Sequence, residues 1–447
     1  MKRVLIITYY WPPTGGSGVQ RWVKFAKFLP SFGWQPVIYT PENPERLAVD
    51  ESLLADIPPC TEVLKTHISE PYDSYRKVLK FFGSGRGCAP TGNGNQGEVN
   101  PINARKKGFI KKLSVLIRGN CFIPDPRTGW VKPSVSYLKK YLEEHPVDAV
   151  VTTGPPQSMH LIGLGLMKAL RRKAGGTEDK VPEWIVDFRD PWTEMFYFKH
   201  LGLLPLARRK HKRLEKEVLD NADKVIAVTP LVQADFQAMT STPVELVTNG
   251  FDEDDFRCGE EAPRGGSFCV THTGLFAEDG NPTVLWEVLA DMCRKDEGFR
   301  KALRIRLAGK VDKGITDSLI AAGLEENLDV LGYLPHVGTV REQQSASVLI
   351  LPLRKEPEYR KVLPGKIFEY LAARRPVLGI GQEDGAAAGV LAETGAGVMY
   401  EWDRREAMES FIMAEWDRFR NGDTSRMTSD IEKYSRKVLT EKLVALL

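Results

Sequence analysis

Residues 3–40 read RVLIITYYWPPTGGSGVQRWVKFAKFLPSFGWQPVIYT. The two ends, RVLIIT and QPVIYT, are short apolar runs rich in β-branched residues, the pattern of strands buried on both faces. Between them Val19, Trp22, Val23, Ala26, Phe28 and Leu29 recur at helical spacing, and Gly33 closes the helix. Strand, helix and strand in that order make one parallel βαβ unit. The turn after the first strand carries Gly15, Gly16 and Gly18, which permit close backbone approach. The helix behind them offers free amides and the positive end of its dipole. This is a candidate anion cradle, although neither the dinucleotide fingerprint G-x-G-x-x-G nor a Walker loop is present.

The alternation continues outward from this unit. VDAVVTT, EWIVDF, DKVIAVT and VELVTN extend the first series. After the polar stretch CGEEAPRGGS (Cys258–Ser267) a second series follows, with FCVTHTG, LRIRLAG, LDVLGYL, SVLILPL and PVLGIG. Two such series predict an α/β protein of two Rossmann-like, doubly wound domains facing each other across a cleft, over residues 1–262 and 263–447. Ligands of such sheets bind beyond the carboxyl ends of the strands, so strand-end residues are the ones to examine.

Composition narrows the function classes. With 447 residues the chain exceeds one ordinary core. A net charge of +3 gives no electrostatic reason to expect nucleic acid. The six cysteines show no CxxC and the seven histidines no HExxH, which argues against a disulfide framework or a metal site. The apolar start Val4–Ile7 is too short for a signal peptide, and no run of 18 apolar residues is long enough to span a bilayer. A cytoplasmic location is the expectation.

One region interrupts the alternation. From Arg76 to Arg118 basic residues outweigh a lone Glu98, and the middle is Gly- and Asn-rich, the composition of a mobile loop. Its end, FIKKLSVLIRG, places Phe109, Ile110, Leu113, Leu116 and Ile117 on one face and Lys111, Lys112 and Arg118 elsewhere. The pattern suits either a helix lying on an anionic membrane surface or a solvated insertion packing on its own domain.

The chemistry-bearing residues cluster at predicted strand ends. DAVVTT runs into GPPQSMHLIG and brings His160 to a helix start; VDFRDPW packs Asp187, Arg189 and Asp190 into four positions. Alternation sends Asp187 and Arg189 to one side and Asp190 to the other. In the second series Gly274 ends one strand, Lys310 follows another, and Gly365 and Lys366 open the helix of PGKIFEYLAARRP. Two lysines and a helix N-terminus can jointly hold a diphosphate. Glu369, the single acidic residue of Lys361–Gly381, stands among apolar neighbours one turn further on, at the depth a ribose would reach. Its competing reading is a helical pair with Lys366.

Taken in order, PPTGGSGVQR, TTGPPQSMHLIG, VDFRDPW, VTNGFDEDDF and GKIFEYLAARRPVL resemble the family 4-like retaining glycosyltransferases of GT-B fold, over nearly the whole chain. The resemblance implies an N-terminal acceptor domain, a C-terminal nucleotide-sugar domain, and a last helix, SRKVLTEKLVALL, returning to the first. It gives Glu369 the donor ribose, and assigns donor contacts to Lys366, Gly365, Lys310, Gly274, Gly16 and Gly15. Asp190, Asp187, Arg189 and His160 then serve the acceptor. Three positions depart from the family pattern: Lys361 replaces a common glutamate, Gly280-Asn281-Pro282 replaces a basic residue, and Arg189 replaces a strand-end histidine.

The expected reaction is transfer of a sugar from a nucleotide diphosphate sugar to a carbohydrate or lipid-linked glycan, with retention, in surface polysaccharide or glycoconjugate biosynthesis. No cofactor and no metal are expected. A sugar-nucleotide epimerase of the same fold and a non-catalytic carbohydrate-binding protein are the rival classes.

Overall fold

The computed structural model describes residues 1–45, 49–69, 116, 119–175, 181–195, 198, 201–257, 266–423 and 430–447. The basic region read from Arg76 to Arg118 lies outside the described residues except for Leu116. The chain divides into two compact units. One comprises Met1–Ala227, Gln233–Glu245 and Leu446–Leu447; the other comprises Val228–Val232 and Leu246–Ala445.

The first unit is built on strands β1 (Lys2–Ile7), β2 (Trp34–Pro41), β3 (Glu62–Thr66), β4 (Ala149–Gly154), β5 (Glu183–Phe188), β6 (Lys224–Ala227) and β7 (Val244–Leu246). Their order in the sheet is β3-β2-β1-β4-β5-β6-β7, and the pairings from β3 through β6 are parallel. The order turns back between β1 and β4, which is the switch point where such sheets open a crevice. The helices used below are α1 (Ser17–Phe28), α2 (Val131–Glu144), α3 (Ser158–Ala174) and α4 (Pro205–Asn221). Leu5, Ile6, Val150, Val151, Ile185 and Val186 are buried completely, as expected of strands covered on both faces.

The second unit repeats the plan. Its strands are β8 (Phe268–Thr273), β9 (Leu303–Ala308), β10 (Leu328–Gly332), β11 (Val348–Pro352), β12 (Val377–Ile380) and β13 (Gly397–Tyr400). The order is β10-β9-β8-β11-β12-β13, parallel throughout, with its switch point between β8 and β11. Its helices include α5 (Thr283–Lys295), α6 (Lys313–Ala321), α7 (His336–Ser345), α8 (Lys366–Ala373), α9 (Ala386–Thr394), α10 (Arg405–Arg420) and α11 (Arg436–Val444).

Strand alternation divides this unit's core in two. Val348 and Ile350 pack with Leu285, Trp286, Met408 and Ile412 on one face, whereas Leu349 and Leu351 pack with Ile367, Phe368, Leu371 and Leu391 on the other. Helix α8 is thereby held by its apolar stripe, and Lys366 and Glu369 stand off that stripe, partly exposed. Among the described residues no helix is long and apolar enough to cross a membrane.

Candidate functional site

In the first unit, the carboxyl ends of β1, β4 and β5 bring the predicted acceptor residues together, but on unequal terms. Asp187 is fully buried. Its Oδ1 accepts from Arg21 Nη2 at 2.9 Å, and its Oδ2 accepts from Trp22 Nε1 at 2.7 Å, Thr153 Oγ1 at 2.9 Å and Arg21 Nε at 3.2 Å. Burial pushes its pKa up, yet the Arg21 charge and these hydrogen bonds outweigh burial and hold the carboxyl below its usual range. Both oxygens are consumed in tying α1 to the sheet. The expectation that Asp187 faces substrate is therefore corrected: it is an interior ion pair.

Arg189 pairs with neither neighbouring carboxylate among the described residues. Its Nε donates to Gly154 O at 3.0 Å, Nη2 to Pro155 O at 2.5 Å, and Nη1 to Gly18 O. It bolts the turn after β4 to the first turn of α1, and so acts on the backbone rather than on a reacting group. A Cβ at Gly18 would stand 3.2 Å from Nη1, so any larger residue there would press on the guanidinium.

Asp190 and His160 remain open. Asp190 is half-buried and makes no hydrogen bond or ion pair among the described residues. Burial, reinforced by the Asp187 charge, raises its pKa against the opposing pull of Arg189. His160 Nδ1 meets Thr152 Oγ1 at 3.0 Å, whereas Nε2 has no partner. Burial lowers its pKa to about 3, so the imidazole is neutral. Gln157, also buried, leaves both amide atoms without a partner. A Cβ on Gly154 would lie 2.5 Å from His160 Nε2 and 2.6 Å from Gln157 Oε1, so glycine is what admits both groups. Beside them opens a cavity of about 400 Å³ whose walls include Tyr10, Arg127, Pro155, Gln157 and Trp192.

The predicted cradle at Gly15 and Gly16 is explained by the chain itself. A Cβ at Gly15 would press to 2.9 Å against Asp50 Cβ, and Gly16 takes φ 108° to enter α1.

In the second unit, Gly274, Lys310, Gly365, Lys366 and Glu369 are gathered at the ends of β8 and β9 and the start of α8. Gly274 (φ 91°) and Gly309 (φ 120°) pack backbone to backbone, since a Cβ at Gly309 would lie 2.3 Å from Gly274 O. Phe276 N donates to Lys310 O at 2.9 Å, zipping the two strand-end loops together. Lys310 itself is exposed and makes no side-chain bond among the described residues.

Lys366 reaches back into this corner. Its Nζ lies 3.1 Å from His272 Nε2 and 3.2 Å from Leu275 O. His272 Nδ1 lies 3.2 Å from Ile350 O, which can only accept, so Nδ1 carries the proton and Nε2 accepts from the ammonium. Burial of His272, reinforced by the Lys366 charge, keeps that ring neutral. Burial in turn lowers the Lys366 pKa to about 8, against a pull upward from Glu369.

Glu369 does not pair with Lys366. Its Oε2 accepts from Gln343 Nε2 at 2.8 Å, and that amide also donates to Thr273 Oγ1 at 3.0 Å. No hydrogen bond to Oε1 is formed among the described residues. Burial raises the Glu369 pKa, with the Gln343 hydrogen bond and the His336 and Lys366 charges opposing. The result is a desolvated carboxylate with one oxygen fixed and the other available for hydroxyl donors.

No protein-family model and no curated protein sequence matches the chain. Solved structures do. A sucrose-phosphate synthase from Thermosynechococcus elongatus matches with a TM-score of 0.59 at 14% identity, over 100% of this chain and 98% of that one. S. aureus TarM, in complex with UDP and other ligands, matches with a TM-score of 0.53 at 12% identity, over 100% and 99%. A putative UDP-N-acetylglucosamine 2-epimerase from Listeria monocytogenes matches with a TM-score of 0.55 at 10% identity, over 99% and 95%.

The fold is GT-B. Its two sheets, of 7 and 6 strands, lie within an alignment that covers 98% or more of this chain and of the sucrose-phosphate synthase and TarM chains. Two supports of this GT-B chain's candidate donor site escape a reading of motifs. His272 sits inside a strand that reads simply as buried, and Gln343 lies on α7, 26 residues before Glu369. A polar residue inside an apolar run was the one available signal, and it does not name its partner.

Two of the positions read as departures have local roles. Asn281 Nδ2 donates to Ser318 Oγ at 2.7 Å and its Oδ1 accepts from Trp286 Nε1 at 2.8 Å, so its side chain is spent on structure. Lys361 ends a short 3-10 turn, Pro357–Lys361, ahead of α8; near it Glu356 keeps Oε2 without a partner.

Proposed function

We propose that this chain is a glycosyltransferase that moves a sugar from a nucleotide diphosphate sugar to a carbohydrate or lipid-linked glycan, with retention, in surface polysaccharide or glycoconjugate biosynthesis. The observation that carries the reading is the second unit's corner, where a half-satisfied carboxylate, a lysine held by a neutral histidine and a helix N-terminus converge at the switch point. Glu369 Oε1 would accept from the ribose hydroxyls. Lys366 and the first amides of α8 would receive the diphosphate, aided by Lys310.

Charge develops on the diphosphate as the glycosidic bond breaks, and fixed donors placed to meet it stabilise the transition state more than the ground state. In the first unit Asp190, with its unpaired carboxylate, would orient the acceptor hydroxyl or take its proton, and His160 Nε2 would hold a neighbouring hydroxyl. Retention and the acceptor class rest on the family resemblance. Incubation with a panel of nucleotide sugars and glycan acceptors tests the reading: a new glycoside forms only when donor and acceptor are both present.

The epimerase among the fold neighbours supports a second reading. Donor alone would then yield free nucleotide or an altered sugar. Binding without turnover in every combination would make the chain a carbohydrate-binding protein.

A further inference from the structure

The N-terminal half of α4 carries Arg208, Arg209, Lys210, Lys212 and Arg213, all exposed. None of their side chains makes an ion pair or hydrogen bond among the described residues. The adjoining cations behave differently: Lys168 pairs with Glu217, Arg171 with Asp223, Lys173 with Glu143, and Lys216, later on α4, with Asp220. The unpaired set also sits at the disfavoured end of its helix. The first turn of α4 has no acidic residue, so Arg208, in that turn, faces the positive pole of the dipole without compensation. By contrast α3 keeps Arg171, Arg172 and Lys173 in its last turn, where the dipole favours them.

Exposed leucines stand beside the charges. Leu204 is 55% exposed, Leu206 77% and Leu116 42%. Asn120 fixes this edge: its Nδ2 donates to Leu116 O at 2.7 Å and Gly202 O at 3.2 Å, and its Oδ1 accepts from Leu204 N at 2.7 Å. On α4 the buried face is Ala207, His211, Glu215 and Val218. Leu206, Arg209, Lys210 and Arg213, at i, i+3, i+4 and i+7, therefore share the outward face.

We propose that this face, α4 with the 201–204 loop, docks on an anionic lipid bilayer. The cations meet lipid phosphate, and the leucines enter the boundary between headgroups and acyl chains, the two-part attachment typical of interfacial helices. A nucleic acid would use the cations and leave the leucines idle, so lipid explains both. This surface is separate from the donor corner and does not depend on the proposed reaction.

The test uses the full chain in sedimentation with vesicles of phosphatidylcholine alone and of phosphatidylcholine mixed with phosphatidylglycerol. Binding is expected only to the mixed vesicles and should weaken in salt. Arg209→Glu with Arg213→Glu, and separately Leu204→Ser with Leu206→Ser, should each lower partitioning at least about tenfold. Lys139→Glu with Lys140→Glu on α2 changes net charge as much as the arginine pair and should leave binding near wild type. Absence of binding, an equal loss in the α2 control, or a leucine pair without effect would overturn the proposal. Competition by duplex DNA combined with indifference to the leucines would instead identify a nucleic-acid surface.

Discussion

The ammonium of Lys366 lies 3.1 Å from Nε2 of His272, although Glu369 follows it by one turn on the same helix. A lysine and a glutamate spaced three apart would ordinarily be read as a surface pair worth a few tenths of a kcal/mol. Here His272 and Leu275 draw the lysine one way and Gln343 draws the glutamate another. The two charges are thereby kept from pairing with each other, which the proposed donor site requires.

The lysine gives the account a pH signature. With its pKa lowered to about 8, Lys366 is cationic at neutrality and loses its proton as pH rises through that value. Diphosphate binding needs the cation, so affinity for the preferred nucleoside diphosphate should hold below about pH 8 and fall above it. Lys366→Arg, charged throughout, should remove the fall. Calorimetric titration from neutrality upward reads both; a flat profile in the wild type would remove Lys366 from the phosphate site.

Asp187 and Asp190 should separate cleanly. Asp187→Ala removes the carboxylate that pairs with the buried guanidinium of Arg21, 1% exposed, and should cost roughly 3–5 kcal/mol in denaturant unfolding. Because the folded state holds the Asp187 carboxyl below its usual range, its stabilisation is complete above the ordinary carboxylate pKa and fades as pH falls through the folded value. Asp190→Asn should leave stability within about 0.5 kcal/mol of wild type, since no partner is lost. It should lower turnover far more than donor affinity; equal losses in both would place Asp190 outside the acceptor site.

Two glycines of the donor corner make a matched comparison. Gly309→Ala forces a side chain onto φ 120° and into Gly274 O, so thermal unfolding should show a loss of at least about 1–3 kcal/mol. Gly365 has φ −55° and open space around its Cβ position, so Gly365→Ala should fold as well as wild type. If the diphosphate approaches the start of α8 closely, the same substitution should nonetheless weaken donor binding. Unimpaired binding would move the phosphates elsewhere.

A metal should be dispensable, because lysines and helix amides can supply the positive charge that Mg²⁺ or Mn²⁺ otherwise brings. Turnover should survive exhaustive chelation. Loss of activity restored by Mn²⁺ would contradict this.

The sequence carried most of the architecture because buried parallel strands announce themselves as apolar runs. The strands it did not announce are β3 and β13. Both lie near or at a sheet edge, are short and half-exposed, and EVLKT and GVMY lack the continuous apolar run that marks a central strand. Motif order drew attention to Lys366, Glu369 and Gly274 in one unit and His160 in the other, but a linear reading could not say which charges were already spent. Asp187 meets Arg21 from 166 residues away, and Arg189 is absorbed by carbonyls of two different turns. Such pairings are set by the sheet order, which seats β4 between β1 and β5, and no local pattern encodes them.

The most direct measurement concerns Glu369 and the donor ribose. Two charge-assisted hydrogen bonds, each worth roughly 1.5–3 kcal/mol, should make Glu369→Gln lose at least about tenfold in donor affinity with little change in thermal unfolding. The decisive form is a double cycle in which calorimetry compares the donor and its 2′-deoxy analogue on wild type and mutant. The account predicts a clear penalty for the deoxy donor on wild type and a much smaller one on Glu369→Gln, because the partner is already impaired. Equal penalties on both proteins, or a mutant that binds donor normally, would contradict a ribose contact at Glu369.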